Sequence, residues 1–508
     1  MTFPNETSIF TPIFRACDTG PLFENAIAKQ AYGYFCEMLE IPRGSGNENA
    51  LSAYLMAFAE MCGLDAVRDE SRNVLIKKPG GRGRENERPV ILQAHIDMVC
   101  EKNEGVRHDF LKDPISVIIN DDWVKAAGTT LGADNAGGLS LIMAVLASDI
   151  AHPPIEAIFT AEEETTMGGA WAFDVSRLLA RRFINLDSES EGVFTVSSAG
   201  ASDINVSIPV EYEITPEGFE SYKLLVRGLT GGHSGVDINR GRANANVLAA
   251  RLLSRLEKAR AASIDGGSQK NAIPRECTVV ISFDRGYFTQ IKTVLEQMER
   301  DLRSEYPFEE GFNITLQKID ACQTVMSFDS QQTVISGMLL MPDGVLSMSA
   351  DIEGLVQTSN NLGVVKTDGK TVRLTSFFRS SDIGGCDLGI KKLKGLMEAL
   401  GAEVEIKNQA PPWEYKENSP LRDTMTAVFK EFYGKDPKVS AIHAGLECAV
   451  FAEKIPDCDF ISIGMDIRSA HSPDEKMSIS SFDRTGGYLA MVLTRGFADH
   501  GAKTSGDA

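Results

Sequence analysis

"IEAIFTAEEETTMGGA", residues 155–170, sets three glutamates, Glu162, Glu163 and Glu164, at the end of an apolar run. Ile155 to Phe159 has the continuous apolar character of a strand covered on both faces. Adjacent carboxylates disfavour one another, and burial raises the cost. A solvated turn tolerates them. So does a site with bound cations, where positive charge offsets the crowding. There one carboxylate can ligate while its neighbour takes a proton from water.

The surrounding segments set the fold class. "RPVILQAHIDMV" (88–99) and "RRFINLDSE" (181–189) are further buried strands that run into polar residues. "ADNAGGLSLIMAVLAS" (133–148) predicts a helix start followed by an apolar helix. "AIAKQAYGYFCEMLEI" (26–41) and "ENALSAYLMAFAEMCG" (48–63) have helical periodicity, ended by Pro42 and Gly63. "GAWAFDVSRLLA" (169–180) is expected to be helical too. Strands alternating with helices predict an α/β layered domain with a mostly parallel sheet. Ligands of such sheets bind at the carboxyl ends of the strands.

From about Ala201 the texture changes. "ASDINVSIPVEYE" and "ESYKLLVRG" alternate apolar and polar residues, as half-exposed strands do. A helix over Arg242–Ala261, the strand "CTVVISF", the helix "YFTQIKTVLEQMERDLRSEY" and the strand "FNITLQKI" complete a small open-faced sandwich. Val334–Gln409 repeats the theme as a second half-sandwich. "QAPPWEYKENSP" (409–420) reads as a linker, after which helices and buried strands of the first type return. The predicted organisation is therefore one α/β domain built from 1–200 and 411–508, with an α+β module of two half-sandwiches inserted at 201–410.

Composition narrows the function. Of 508 residues, 51 are Lys or Arg and 71 Asp or Glu, a net charge of −20. That gives no support to a nucleic-acid partner, which needs basic patches. No stretch approaches the ~20 apolar residues of a membrane helix, and "MTFPNETSIFTPIFR" lacks a secretory pattern. Nine scattered cysteines without a C-x-x-C pair predict reduced, mostly buried thiols and a cytoplasmic protein.

His95 and Asp97 are two apart on one strand, so both side chains share a face. Asp97 could orient the imidazole and leave its other nitrogen for a metal. Asp134 precedes a helix, where an ordinary N-cap is the commoner use and a bridge between two cations an alternative. Asp187 and His471 follow strands. With Glu163 or Glu164, these residues lie at the ends of elements that converge in a parallel sheet. Two histidines among several carboxylates suit zinc, cobalt or manganese.

"LQAHIDMVCEKN", "LGADNAGG", "EETTMGGA", "INLDSE", "GGHSGVDINRGRANAN", "KNAIPRE" and "SAHSPDE" resemble, in order, the motifs of the co-catalytic zinc metallopeptidase family. That family holds aminoacylases, glutamate carboxypeptidases and carnosine-type dipeptidases. The resemblance runs from about Ala26 onward and is nearest to the family's aminoacyl-histidine dipeptidase branch. It implies a three-layer catalytic domain, an inserted lid and dimerisation module, and a homodimer. It implies two divalent metal ions, zinc in the first instance. His95 and Asp187 would bind one and Glu164 and His471 the other, with Asp134 bridging both. Asp97 would orient His95, and Glu163 would be the general base. Thr166 stands where the family usually has glycine.

In the insert, the resemblance implies that His233 helps hold the scissile carbonyl oxygen and that Asn271 lies near substrate. Arg379, in "FFRSSD", could pair bidentately with a substrate carboxylate or make a surface salt bridge. Gly445 and Glu447 would line the pocket. The implied activity is hydrolysis of short unblocked peptides, chiefly Xaa-His dipeptides. An aminotripeptidase, an N-acyl or N-carbamoyl amino acid amidohydrolase, and a catalytically silent metal-binding protein are the alternatives.

Overall fold

A computed structural model describes residues 23–497. The segment 1–15 and Cys17, read above for targeting and redox state, lie outside the described residues. Among the described residues the chain forms two compact units. One takes the chain up to Val196, Lys416–Ser440 and the part from Val450 onward; the other takes Ser197–Tyr415 and Ala441–Ala449.

The first unit is built on an eight-stranded sheet. Its order is Asp65–Arg68, Val74–Lys78, Ile155–Thr160, Val90–His95, Arg182–Asn185, Asp459–Ser462, Val193–Ser198 and Lys438–Ile442. The four strands from Ile155–Thr160 to Asp459–Ser462 are mutually parallel. Antiparallel strands flank them. Ile155–Thr160 and Val90–His95 are buried along their whole lengths, as their apolar runs require. The helix Ala133–Ala147 packs on Val90–His95 and is almost wholly buried.

One expected helix is broken. "GAWAFDVSRLLA" forms only the short turn Gly168–Ala172 and a 3-10 turn at Val175–Arg177. Lys454 Nζ donates to the carbonyls of Ala170, Trp171 and Phe173 at 2.9, 2.7 and 2.6 Å and ends the first turn. Asp174 then caps the second by accepting from Ser176 N–H.

The second unit holds one nine-stranded antiparallel sheet. The two predicted half-sandwiches fuse where Arg260–Gly266 pairs with Val356–Asp368, through Asp265 with Lys366 and Gly266 with Val365. The helix expected over Arg242–Ala261 ran into the first two residues of that joining strand. The helix in fact spans Ala245–Arg255, capped by the Asn244 side chain. Four helices, Ala245–Arg255, Phe288–Glu305, Phe328–Leu340 and Ile383–Ala399, pack on the sheet. A single apolar cluster runs from Ile204 and Val279 in one half to Leu374 and Met397 in the other.

The cysteines depart from expectation. Cys36 is in a disulfide. Of the seven free thiols among the described residues, Cys277, Cys448 and Cys458 are buried, while Cys100 is exposed. Among the described residues no helix is long and apolar enough to cross a membrane.

Candidate metal centre

Three parallel strands deliver the site. Val90–His95 ends in His95 and continues to Asp97; Ile155–Thr160 continues to the three glutamates; Arg182–Asn185 continues to Asp187. His471 comes from the loop between Ile467–Arg468 and Lys476–Ser478. All seven residues expected at the centre, His95, Asp97, Asp134, Glu163, Glu164, Asp187 and His471, meet there.

His95 Nε2 lies 3.1 Å from Asp134 Oδ1 and 3.4 Å from Asp187 Oδ1. His471 Nε2 lies 3.1 Å from both Asp134 Oδ2 and Glu164 Oε2. Thus His95, Asp134 and Asp187 form one group able to hold an ion, and Asp134, Glu164 and His471 form another. Asp134 belongs to both, one oxygen facing each histidine. A third grouping, His95 with Glu163 and Glu164, brings Glu163 to the same place.

Asp97 is fully buried and sets the orientation of its neighbours. Its Oδ1 is 3.3 Å from His95 Nδ1. It accepts from the backbone N–H of Glu163 at 3.0 Å and of Glu164 at 3.1 Å, and from Ser45 Oγ at 2.7 Å. The strand-end pair therefore fixes the glutamate turn as well as the imidazole.

The three glutamates now separate. Glu162, at φ +57°, turns away and pairs with Arg72, which also reaches Glu48 Oε2 at 3.2 Å. Glu163 and Glu164 begin the helical turn Glu163–Thr166. Thr166 is exposed and closes that turn without positive φ, so a side chain is accommodated there.

Asp134 and Asn135 have non-helical backbone at the start of their helix, and the peptide bond between them is cis. Asn135 Nδ2 donates to Asp187 Oδ1 at 2.6 Å. A Cβ at Gly138 would sit 2.0 Å from Leu186 O, so only glycine allows the helix this close to the strand end.

Electrostatics follow from the carboxylate excess. Burial lowers the His95 imidazole pKa, but Asp187, Asp134 and Asp97 overcome this and raise it well above the usual value. Hydrogen bonds with Asp134 and Glu164 push His471 up to about 11. Burial lifts Asp187 to about 7, opposed by His95 and reinforced by Asp134 and Glu164. Burial also lifts Glu189 to about 7. Asp134 is held below the ordinary range by both histidines despite its burial.

In the second unit, His233 and Arg379 come together at Gly235. A Cβ there would lie 3.1 Å from His233 Cε1, 3.3 Å from Arg379 Nε and 2.3 Å from His443 O. His233 Nδ1 accepts from the N–H groups of Gly235 and Val236 at 3.2 and 3.1 Å, so in the neutral ring Nε2 carries the proton. Asn271 is exposed, and its carbonyl accepts from Ser234 N–H at 2.9 Å.

Arg379 is not the surface salt bridge left open as an alternative. It is 5% exposed, lies 4.4 Å over the Phe377 ring, and has no carboxylate partner among the described residues. Burial lowers its pKa to about 10. His443, hydrogen-bonded to Ser359 Oγ at 2.7 Å, is pushed down to about 3 by burial, Arg379 and His233. Glu447 is buried.

Sequence reasoning missed Arg43, Ser45, Asn135, Glu475 and His443. "PRGSG" carries a basic residue just after a helix stop, and Glu475 stands four residues beyond His471. Neither pattern by itself points to a buried site.

Comparisons with known proteins give the family of the chain. The model of peptidase family M20/M25/M40 matches residues 91–495. The cytosol non-specific dipeptidase of Escherichia coli (strain K12) is 37% identical over 452 residues, 88% of this chain and 93% of that protein. The crystal structure of an aminoacylhistidine dipeptidase from Vibrio alginolyticus superposes with a TM-score of 0.85 at 35% identity, over 93% of this chain and 98% of that one. The aminopeptidase PepT of Bacillus cereus ATCC 10987, at 15% identity and a TM-score of 0.55 over 92% and 98% of the two chains, shares the fold. The chain belongs to peptidase family M20/M25/M40.

Proposed function

We propose that this chain is a metal-dependent dipeptidase acting on short unblocked peptides, with Xaa-His dipeptides as substrates. The observation that carries it is the pair of ligand groups sharing Asp134. The names of the Escherichia coli and Vibrio alginolyticus relatives support the substrate class.

The residues fit two divalent cations. The donors are imidazole and carboxylate, which suit zinc, with cobalt or manganese as alternatives. Glu164 Oε1 is buried without a hydrogen-bond partner. His95, Asp134 and Asp187 would hold one ion, and Asp134, Glu164 and His471 the other. Bound there, such cations acidify water and polarise a carbonyl. Asp97 holds the His95 ring and the glutamate turn in place. Glu163 accepts the proton of the attacking water and returns it to the leaving amine.

In the second unit, Arg379 takes the substrate carboxylate, which matches its burial without a carboxylate partner. His233, donating through Nε2, steadies the oxygen of the scissile carbonyl, and Asn271 lies beside substrate. We read this unit, inserted within the first in the chain, as lid and dimerisation module. Leu340, Leu346 and Met348, around the strand Gly344–Met348, are exposed apolar residues that a second copy would cover in a homodimer. A cytoplasmic location matches the name of the Escherichia coli relative.

The test is hydrolysis of Xaa-His dipeptides, tripeptides and N-blocked amino acids by zinc-loaded protein. Dipeptide hydrolysis lost on chelation is expected. Preference for tripeptides or blocked amino acids would point to an aminotripeptidase or amidohydrolase. Zinc binding without hydrolysis would leave a silent metal-binding protein.

A further inference from the structure

Two opposite charges are buried beside the metal centre without belonging to it. Arg43 is 2% exposed and Glu475 is 1% exposed. Arg43 Nη1 donates to Ile96 O at 3.2 Å and Asp97 O at 2.9 Å, and Nη2 donates to Gly132 O. Glu475 Oε2 accepts from the N–H groups of Leu131 and Gly132, both at 2.8 Å, and Oε1 accepts from Asp134 N–H at 3.2 Å. Gly132 is thus gripped at both ends of one residue, its carbonyl by the cation and its amide by the anion. Its φ is +70°, and a Cβ would fall 2.5 Å from Arg43 Nη2. Only glycine admits the guanidinium.

These contacts join four chain segments, one of them the loop that carries Glu475 four residues after His471. The turn at Arg43 also sends Ser45 Oγ to Asp97. The Ile96–Asp97 backbone follows His95 directly. The Leu131–Asp134 loop delivers the carboxylate shared by both ligand groups.

We infer that Arg43 and Glu475 are paired positioning residues that clamp Gly132 and so fix Asp134 relative to His95 and Asp97 before any cation binds. This rests on the two-cation function proposed above. A guanidinium suits the task because its planar fork spans three carbonyls, which a lysine ammonium cannot do in the same geometry. The negative charges of Glu475 and Asp97 offset the burial of the guanidinium.

The test uses the full chain with R43K and E475Q, each retaining shape and part of the hydrogen bonding. Zinc affinity is measured by competition with a chromophoric chelator, and kcat and KM on a dipeptide. Removing partners behind a ligand costs about 10–100-fold in affinity or activity. We expect a fall of that size in zinc affinity and in kcat, with KM unchanged, in variants that keep wild-type circular dichroism. The double variant should lose about as much as either single one, because both act on one loop. Folded variants with wild-type zinc affinity and kcat would overturn the inference.

Should the variants not fold, amide hydrogen exchange of the zinc-free wild-type protein decides. Slow exchange at Leu131, Gly132 and Asp134 supports a preformed clamp, and exchange as fast as in exposed loops refutes it. A wild-type protein that binds no zinc would instead defeat the two-cation function, while exchange still reads the clamp.

Discussion

Two constellations in this chain, one reaching the surface at His471 and one buried around Arg379, are charged in opposite senses. In the first unit, five carboxylates, Asp97, Asp134, Glu163, Glu164 and Asp187, crowd around two histidines. In the second, the Arg379 guanidinium is buried among Phe377, His443 and the Gly235 backbone with no carboxylate partner among the described residues. Buried charge is normally paired, because an isolated ion away from water costs several kcal/mol. One region is short of positive charge and the other of negative charge. On the proposed function, cations would complete the first and a peptide carboxylate the second.

The most severe loss of activity is expected from a change at Glu163. Glu163→Gln should leave two cations bound and cut kcat about 10²–10⁴-fold. Elemental analysis alongside steady-state rates checks both halves; unchanged turnover rejects Glu163 as base. Removing the cations with a chelator should abolish hydrolysis, and zinc should restore it.

Arg379→Met comes next. Loss of a buried charge partner costs about 2–5 kcal/mol, so kcat/KM should fall by roughly 30-fold or more. Thermal unfolding of ligand-free protein should occur no earlier than in wild type, since an unpaired cation has been removed. A clear drop in unfolding temperature would mean that Arg379 is paired within the protein.

Asp97→Asn should weaken cation affinity by about 10–100-fold, since the amide supports the imidazole less well. Calorimetric titration with zinc reads this directly.

The smallest effect concerns pH. In the cation-free protein His471 keeps its proton up to about 11, and Asp187 and Glu189 keep theirs up to about 7. These folded values lie above the ordinary ones. Their stabilisation is therefore full at low pH and declines as pH rises, between about 4 and 7 for the two carboxyls and between about 6.5 and 11 for His471. Cations displace the centre's protons, so zinc affinity should rise with pH and binding should release protons. Titrations in buffers of different ionisation enthalpy measure that release. Its absence at neutral pH would show the histidines to be already neutral.

Much of the centre is legible in the chain because strand ends are local features. An apolar run that stops at His95, at the glutamates or at Asp187 announces a carboxyl end, and parallel strands bring such ends together. The buried clamp is not legible. Arg43 and Glu475 carry no local signal of their burial, since their partners are backbone groups from distant segments. Arg260–Gly266 was hidden for a related reason. It follows a true helix without a Gly or Pro stop, and only pairing with Cys277–Asp284 and Val356–Asp368 makes it a strand.

By itself, the sequence determined the residue chemistry of the centre, its order along the chain and the α/β class, because apolar periodicity and residue type are properties of neighbours. The resemblance implied the roles of Glu163, Glu164 and Asp134; the folded chain supplied the contacts that set Glu162 apart from that pair, turn one Asp134 oxygen toward each histidine and join two half-sandwiches in one sheet. Those outcomes depend on partners far away in the chain: Arg72 draws Glu162 aside, Asp97 holds the amides of Glu163 and Glu164, and Glu475 holds the Asp134 loop.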